Sequence, residues 1–272
     1  MSDGRTPVNI VIQPWFQEHC FGGKAVLPAV ETMLLLASQV AASYPEINIR
    51  VMEKVRFAKF LEIPSGTTTL PALVECAVVT DGRVQARLLS RLQFKAMSRI
   101  KEHGDIFFSS AGTENQPVPD IDPAPLSGLV TKVNVEQLYR ELVPFGPNYQ
   151  TLQETLYLSE HGAWGKLKAP QLPPLDSVQE MIGSPFPLDG ALHAASVLGQ
   201  QMVDFVPFPV GFDRRTIFRP TQPGSCYITR VIPVSRTNDE LTFDLGIFDN
   251  GGQVHEMVTG VRMRDVSRGI GK

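Results

Sequence analysis

His19-Cys-Phe-Gly-Gly-Lys-Ala-Val-Leu-Pro28 runs directly into Ala29-Val-Glu-Thr-Met-Leu-Leu-Leu-Ala-Ser-Gln-Val-Ala-Ala42. Proline is tolerated in the first turn of a helix, where its missing N–H has no intrahelical partner. The glycines and Pro28 therefore read as a tight approach followed by a helix over 28–43. That helix has no polar face, so it has to be surrounded by the rest of the fold. The pattern returns further on: Pro187 precedes Leu188-Asp-Gly-Ala-Leu-His-Ala-Ala-Ser-Val-Leu-Gly-Gln-Gln-Met-Val203, again apolar nearly all round.

Each of these helices is followed by β-rich sequence. A first strand is expected over 8–12. Strand-like composition then fills 47–63, 67–80 and 83–96, with Pro-Ser-Gly and Asp-Gly as turn signals. Beyond the second helix it fills 225–234, 240–248 and 253–264, with Asp249-Asn-Gly-Gly252 as a hairpin turn. Between the halves, 111–130 turns to Gly, Pro, Asp, Asn and Ser and loses apolar periodicity, as an interdomain linker does. A short helix over 135–142, strands over 149–159 and 163–169, and a Pro-containing loop over 171–184 complete the reading. An antiparallel sheet curled around an apolar helix is an economical half-domain. The expected fold is α+β, a double hotdog with two antiparallel sheets each wrapped around a central apolar helix. Its parts are an N-terminal hotdog (1–110), the linker (111–130) and a C-terminal hotdog (131–272).

Composition narrows the function. At 272 residues, 43% hydrophobic and 19% charged, the chain can build a sizeable core, and a formal charge of −3 without a basic block argues against nucleic acid or anionic membrane as partner. Neither a signal peptide nor an apolar run of about 20 residues is present, so a cytoplasmic protein is expected. Cys20, Cys76 and Cys226 are odd in number and far apart, which speaks against a disulfide framework and a structural zinc site.

Asp189 and His193, four apart, share one face of the second helix. If the halves pair as hotdog protomers do, His19 and Asp189 would share a cleft. At this point the chain resembles the dehydratase domains of polyketide synthases. His19-x-x-x-Gly23-x-x-x-x-Pro28 matches their His-x-x-x-Gly-x-x-x-x-Pro motif, and Asp189-Gly-Ala-Leu-His193 their Asp-x-x-x-Gln/His motif, about 170 residues later. Phe145-Gly-Pro-Asn-Tyr149 is similar to the family's Tyr-Gly-Pro-x-Phe element, and Val206-Pro-Phe-Pro209 to its Leu-Pro-Phe element. The chain departs from the family at Phe145, which lacks the first hydroxyl, at Tyr149, and at Ala29, where glycine is common.

The resemblance implies removal of water from a 3-hydroxyacyl thioester on an acyl carrier protein, giving a 2-enoyl thioester in polyketide or fatty-acid-like biosynthesis. It implies no metal and no cofactor beyond the carrier's phosphopantetheine. Neutral His19 would take the C2 proton and protonated Asp189 would give its proton to the C3 hydroxyl, with His193 orienting the carboxyl. An apolar setting favours the neutral form of each group. The helix N-terminus acts the other way on Asp189, with about 2 kcal/mol at most against several for desolvation. N–H groups at Ala29 and Val30, where helix one starts, would stabilise the enolate oxygen; Pro28 cannot donate. Gly23, Pro28, Gly146, Pro147, Tyr149 and Pro207 complete the expected substrate-binding set.

Plainer readings exist for each residue. Asp189 alone would be an N-cap, His193 a satisfied core histidine, Cys20 a buried thiol, and Arg214-Arg215 a solvated pair ahead of a strand, or a contact for the carrier protein. His19, Asp189 and His193 as metal ligands are disfavoured by the apolar setting. The competing functions are another hotdog enzyme (a product-template-type cyclase, an isomerase or a thioesterase) and a non-catalytic acyl-binding module. The length leaves no room for synthase or carrier domains, so the expectation is a free-standing protein serving a polyketide synthase or carrier in trans. It would be a monomeric pseudo-dimer or a homodimer.

Overall fold

The computed structural model describes residues 4–94, 97–110 and 120–266. The chain divides into two compact units, Met1–Gln116 and Pro117–Lys272.

The first unit contains β1 (Arg5–Val11), a small hairpin of β2 (Cys20–Phe21) and β3 (Lys24–Ala25), α1 (Ala29–Ser43), and the strands β4 (Ile47–Phe57), β5 (Thr69–Val78), β6 (Val84–Phe94) and β7 (Met97–Ser110). The sheet order is β1-β5-β6-β7-β4, every pair antiparallel. Helix α1 packs on β4, β5, β6 and β7, with Met33, Leu36, Ala37 and Val40 fully buried. Pro28 is its N-cap residue, with an extended backbone and a carbonyl that accepts from the Thr32 N–H at 3.0 Å. Strand β7 was not expected from the sequence. It buries the polar side chains of His103, Asp105 and Ser109 as well as Ile106 and Phe108 and carries a register shift opposite Leu88 and Leu89, which together erase the apolar alternation that marks a half-buried strand.

The second unit contains β8 (Thr131–Asn134), α2 (Val135–Glu141), β9 (Leu152–Ser159), β10 (Gly162–Lys168), α3 (Ser177–Ile182), α4 (Phe186–Gln200), β11 (Pro207–Ile217), β12 (Cys226–Arg236), β13 (Glu240–Phe248) and β14 (Val254–Asp265). Its order is β8-β9-β10-β12-β13-β14-β11, again antiparallel throughout. Helix α4 packs on β9 to β13, and all its residues except Ser196 and Gln200 are buried. Fully burying a Leu or Phe contributes about 1.5–3 kcal/mol, so this helix is held by its whole circumference.

Two elements here correct the sequence reading. The 171–184 loop contains α3, whose N-cap Asp176 accepts from the Gln179 N–H at 2.8 Å. Residues 207–217 form β11, in which Pro209 and Gly211 flank a bulge. Proline is admitted to a strand at such irregularities. Arg214 and Arg215 therefore lie inside a strand and are not a solvated pair. Arg215 is buried and bonded to the equally buried Glu256, through Nε at 2.9 Å and a terminal nitrogen at 2.8 Å.

Residues 111–119 of the expected linker lie outside the described residues. Of its remainder, Ile121 is buried with Phe248 and Met257, and the Pro123 carbonyl accepts from the Trp164 indole N–H at 3.0 Å. That stretch packs as part of the second unit. No helix among the described residues is long and apolar enough to cross a membrane.

Candidate active site

In the first unit, His19 ends a single 3-10 turn, Pro14–Glu18. Its N–H donates to the Phe16 carbonyl at 3.3 Å and its carbonyl accepts from the Val26 N–H at 3.0 Å, so its backbone is held from both sides. Gly22 and Gly23 join β2 to β3 with φ of +56° and +77°. Two successive positive φ values are what a two-residue hairpin turn demands, and glycine adopts them freely. The rest of the approach is clamped laterally: the Leu27 N–H donates to the Leu61 carbonyl at 2.9 Å, and the Ile63 N–H to the Ala25 carbonyl at 2.8 Å. Residues 61–63, expected as the end of a long strand, instead guide the chain into α1. Ala29 and Val30 open that helix, where backbone N–H groups have no acceptor within the helix. Cys20 is half-buried, its thiol donating to the Gln17 carbonyl at 3.2 Å.

In the second unit, α4 begins at Phe186, so Asp189 closes the first turn and is not an N-cap. Its N–H donates to the Pro185 carbonyl at 3.2 Å. Asp189 and His193 are 4% and 5% exposed, and Asp189 Oδ2 lies 3.0 Å from His193 Nε2. The two atoms touch without completing an aligned hydrogen bond, a looseness common in resting active sites. On the other edge of the imidazole, Nδ1 lies 3.3 Å from the Tyr139 hydroxyl. That hydroxyl accepts from the Leu152 N–H at 2.9 Å. Burial pushes the Tyr139 phenol well above its ordinary range, with the Leu152 N–H and the Thr151 hydroxyl opposing it.

Phe145, Tyr149 and Pro147 stand around the same helix. The Phe145 ring lies 5.1 Å from the His193 ring at 41°, and Tyr149 lies 5.2 Å from Phe186. Gly146 is the N-cap of the 3-10 turn Pro147–Tyr149. Pro207 is placed differently. It meets Gly199 and its carbonyl accepts from the Ser196 hydroxyl at 2.8 Å, about 10–15 Å along α4 from Asp189 at 1.5 Å per residue.

Asp189, His193, Phe145 and Tyr149 are thus gathered at the start of α4. Tyr139 belongs with them and was not singled out from the sequence. Its signal was present: Val135, Leu138 and Tyr139 are the buried face of α2, and a buried tyrosine needs a partner for its hydroxyl. Among the described residues no three His, Cys, Asp or Glu side chains are grouped as a metal ion would need. Chemically, the cluster offers a desolvated carboxyl beside an imidazole, suited to giving and taking protons.

A structure of the dehydratase domain of RzxB from Pseudomonas fluorescens aligns with a TM-score of 0.74 at 17% identity, over 96% of this chain and 94% of that one. A trans-AT polyketide synthase dehydratase domain from Brevibacillus brevis aligns at 0.71 and 16%, over 96% and 93%. A trans-acyltransferase polyketide synthase enoyl-isomerase aligns at 0.65 and 17%, over 95% and 98%. At these identities the likeness concerns the fold. No curated protein sequence matches. The sequence model of the polyketide synthase dehydratase N-terminal domain family matches residues 119–272, a span that includes Asp189 and His193 and lies downstream of His19. With more than half of its length so matched, the chain belongs to the polyketide synthase dehydratase family.

Proposed function

We propose that the protein removes water from a 3-hydroxyacyl thioester presented by an acyl carrier protein, releasing a 2-enoyl thioester during polyketide biosynthesis. His19 takes the C2 proton as its electron pair moves toward the thioester carbonyl. Asp189 gives a proton to the C3 hydroxyl as the C3–O bond breaks. The N–H groups of Ala29 and Val30 stabilise the enolate oxygen. In this reading each sheet wraps its apolar helix as a hotdog, and Gly23, Pro28, Gly146, Pro147, Tyr149 and Pro207 shape the acyl path. The partner is a carrier protein or synthase module served in trans, and the acyl chain arrives on the carrier's phosphopantetheine.

The observation that carries the reading is Asp189: a carboxyl 4% exposed on an apolar helix, against His193, in a chain that belongs to a dehydratase family. Burial without a full partner is costly for a carboxylate, and a purely structural residue gains nothing from it. The test is incubation with a panel of 3-hydroxyacyl carrier-protein thioesters, read by mass spectrometry. Loss of one water is expected from the wild type. His19→Ala and Asp189→Asn each lower the rate by at least about 10²–10⁴-fold while staying folded. Loss of the carrier in the wild type would assign hydrolysis, and an unchanged mass would assign an isomerase acting on enoyl substrates or an acyl-binding module instead. Full turnover in either variant would remove that residue from its role.

A further inference from the structure

We propose that Tyr139 is a positioning residue that fixes the tautomer of His193, and through it the oxygen of Asp189 that carries the transferable proton; this rests on the dehydratase reading above. The Tyr139 oxygen already accepts from the Leu152 N–H, and the Thr151 hydroxyl stands beside that oxygen as a further donor, so the phenol's own single proton is left to give. His193 Nδ1, at 3.3 Å, is placed to take it. The phenol is held protonated by burial, so it stays a donor across the working pH range. An Nδ1 that accepts from a phenol carries no proton of its own. A neutral ring then bears its hydrogen on Nε2, the nitrogen 3.0 Å from Asp189 Oδ2.

The consequence reaches the chemistry. With Oδ2 3.0 Å from the Nε2 edge, though not yet aligned with it, a protonated Asp189 whose hydrogen is on Oδ1 leaves Oδ2 free to accept once the two groups close up. As that proton passes to the departing hydroxyl, Asp189 becomes a carboxylate, and the Nε2–H···Oδ2 contact turns into a charge-assisted hydrogen bond. Such bonds are about twice as strong as neutral ones, so the interaction grows as the reaction proceeds, which is what accelerates a chemical step. The opposite tautomer would point a lone pair at Oδ2 and draw the acid proton onto the wrong oxygen. The Phe145 ring, 5.1 Å from the imidazole, and the edge contact between the Tyr139 and His193 rings at 79° oppose ring rotation.

The chain has five histidines, so selective ¹⁵N-histidine labelling gives a spectrum simple enough to assign with a His193→Gln variant. Long-range ¹H–¹⁵N correlations on the resting wild-type protein are expected to show His193 as the neutral Nε2–H tautomer. An Nδ1–H pattern there overturns the proposal, and neither result needs substrate, so the tautomer is tested even if dehydration is not found. Tyr139→Phe is expected to mix the tautomers and to lower kcat about 5–10-fold with KM nearly unchanged. Glutamine at 193 presents an N–H donor that needs no tautomer, so adding Tyr139→Phe to His193→Gln should change kcat less than about twofold. An equal loss in both backgrounds would mean that Tyr139 acts only on folding, and would overturn the proposal.

Discussion

The Thr151 side chain occupies the space that a β-carbon on Gly190 would need. Helix α4 therefore lies close against Thr151 and the Leu167 side chain directly behind Asp189, and the glycine is what admits it. Gly190 lies in the helix interior, where alanine is ordinarily favoured by about 1 kcal/mol. Here the steric effect opposes that preference, and overpacking a closed site costs about 1–3 kcal/mol. Gly190→Ala is expected to lower the unfolding free energy in urea, and Thr151→Ala in the same chain to recover part of the loss, the Leu167 side chain still standing against the new methyl. A stabilised single variant would show that the helix can shift away, and with it Asp189.

His103 gives the first unit a pH dependence. Its Nδ1 faces the Lys59 carbonyl at 3.0 Å, which only accepts, so Nδ1 carries the hydrogen and Nε2 accepts from the Ser90 hydroxyl at 2.7 Å. Burial, reinforced by the Lys101 charge, lowers its pKa from 6.5. The unfolded chain then binds more protons than the folded one between the depressed value and about 6.5, and stability rises with pH through that window. The contribution is complete above the unfolded value and is lost as pH falls toward the folded one. Between about pH 7.5 and 5 the melting temperature of the wild type should fall more steeply than that of His103→Asn, which keeps a donor for Lys59 but does not titrate. Parallel curves would mean that His103 takes up its proton at the same pH in the folded and the unfolded chain.

The two helices that organise the units were legible because their composition alone demands burial: nothing polar interrupts Met33 to Ala37, and Leu188 to Leu198 offers only Asp189, His193 and Ser196. Pro28 marked its helix start within a residue. The second start was misplaced because Pro187 sits inside the first turn and not before it, and that shift is what made Asp189 read as a cap. The two long strands absent from the sequence reading, β7 and β11, share one cause. In β7 and β11 buried positions hold His103, Asp105 and Arg215, polar side chains whose partners, Lys59, Ser90, Arg56 and Glu256, are distant in sequence. A pattern that scores apolar alternation cannot see a buried polar group whose partner is distant in sequence. The same limit hid Tyr139, whose position is set by its contact with His193, 54 residues on.

Arg215 and Glu256 carry that point into energetics. They join neighbouring strands, 4% and 0% exposed at the side chain, with two guanidinium N–H donors on the Glu256 Oε2. Removing both charges from water costs several kcal/mol per ion, and their mutual attraction repays it only through close contact. The pair therefore adds little net stability over an apolar replacement, while either charge without the other is expensive. Glu256→Gln is expected to destabilise the protein by about 3–5 kcal/mol, because Arg215 stays buried without its counter-charge. Replacing both, Arg215→Met with Glu256→Leu, should return stability to within about 1–2 kcal/mol of the wild type, since paired burial and apolar burial are then being exchanged. Chemical denaturation of the three proteins decides it: a double variant no more stable than Glu256→Gln would mean that the ion pair itself, and not the avoidance of a lone charge, holds β11 to β14.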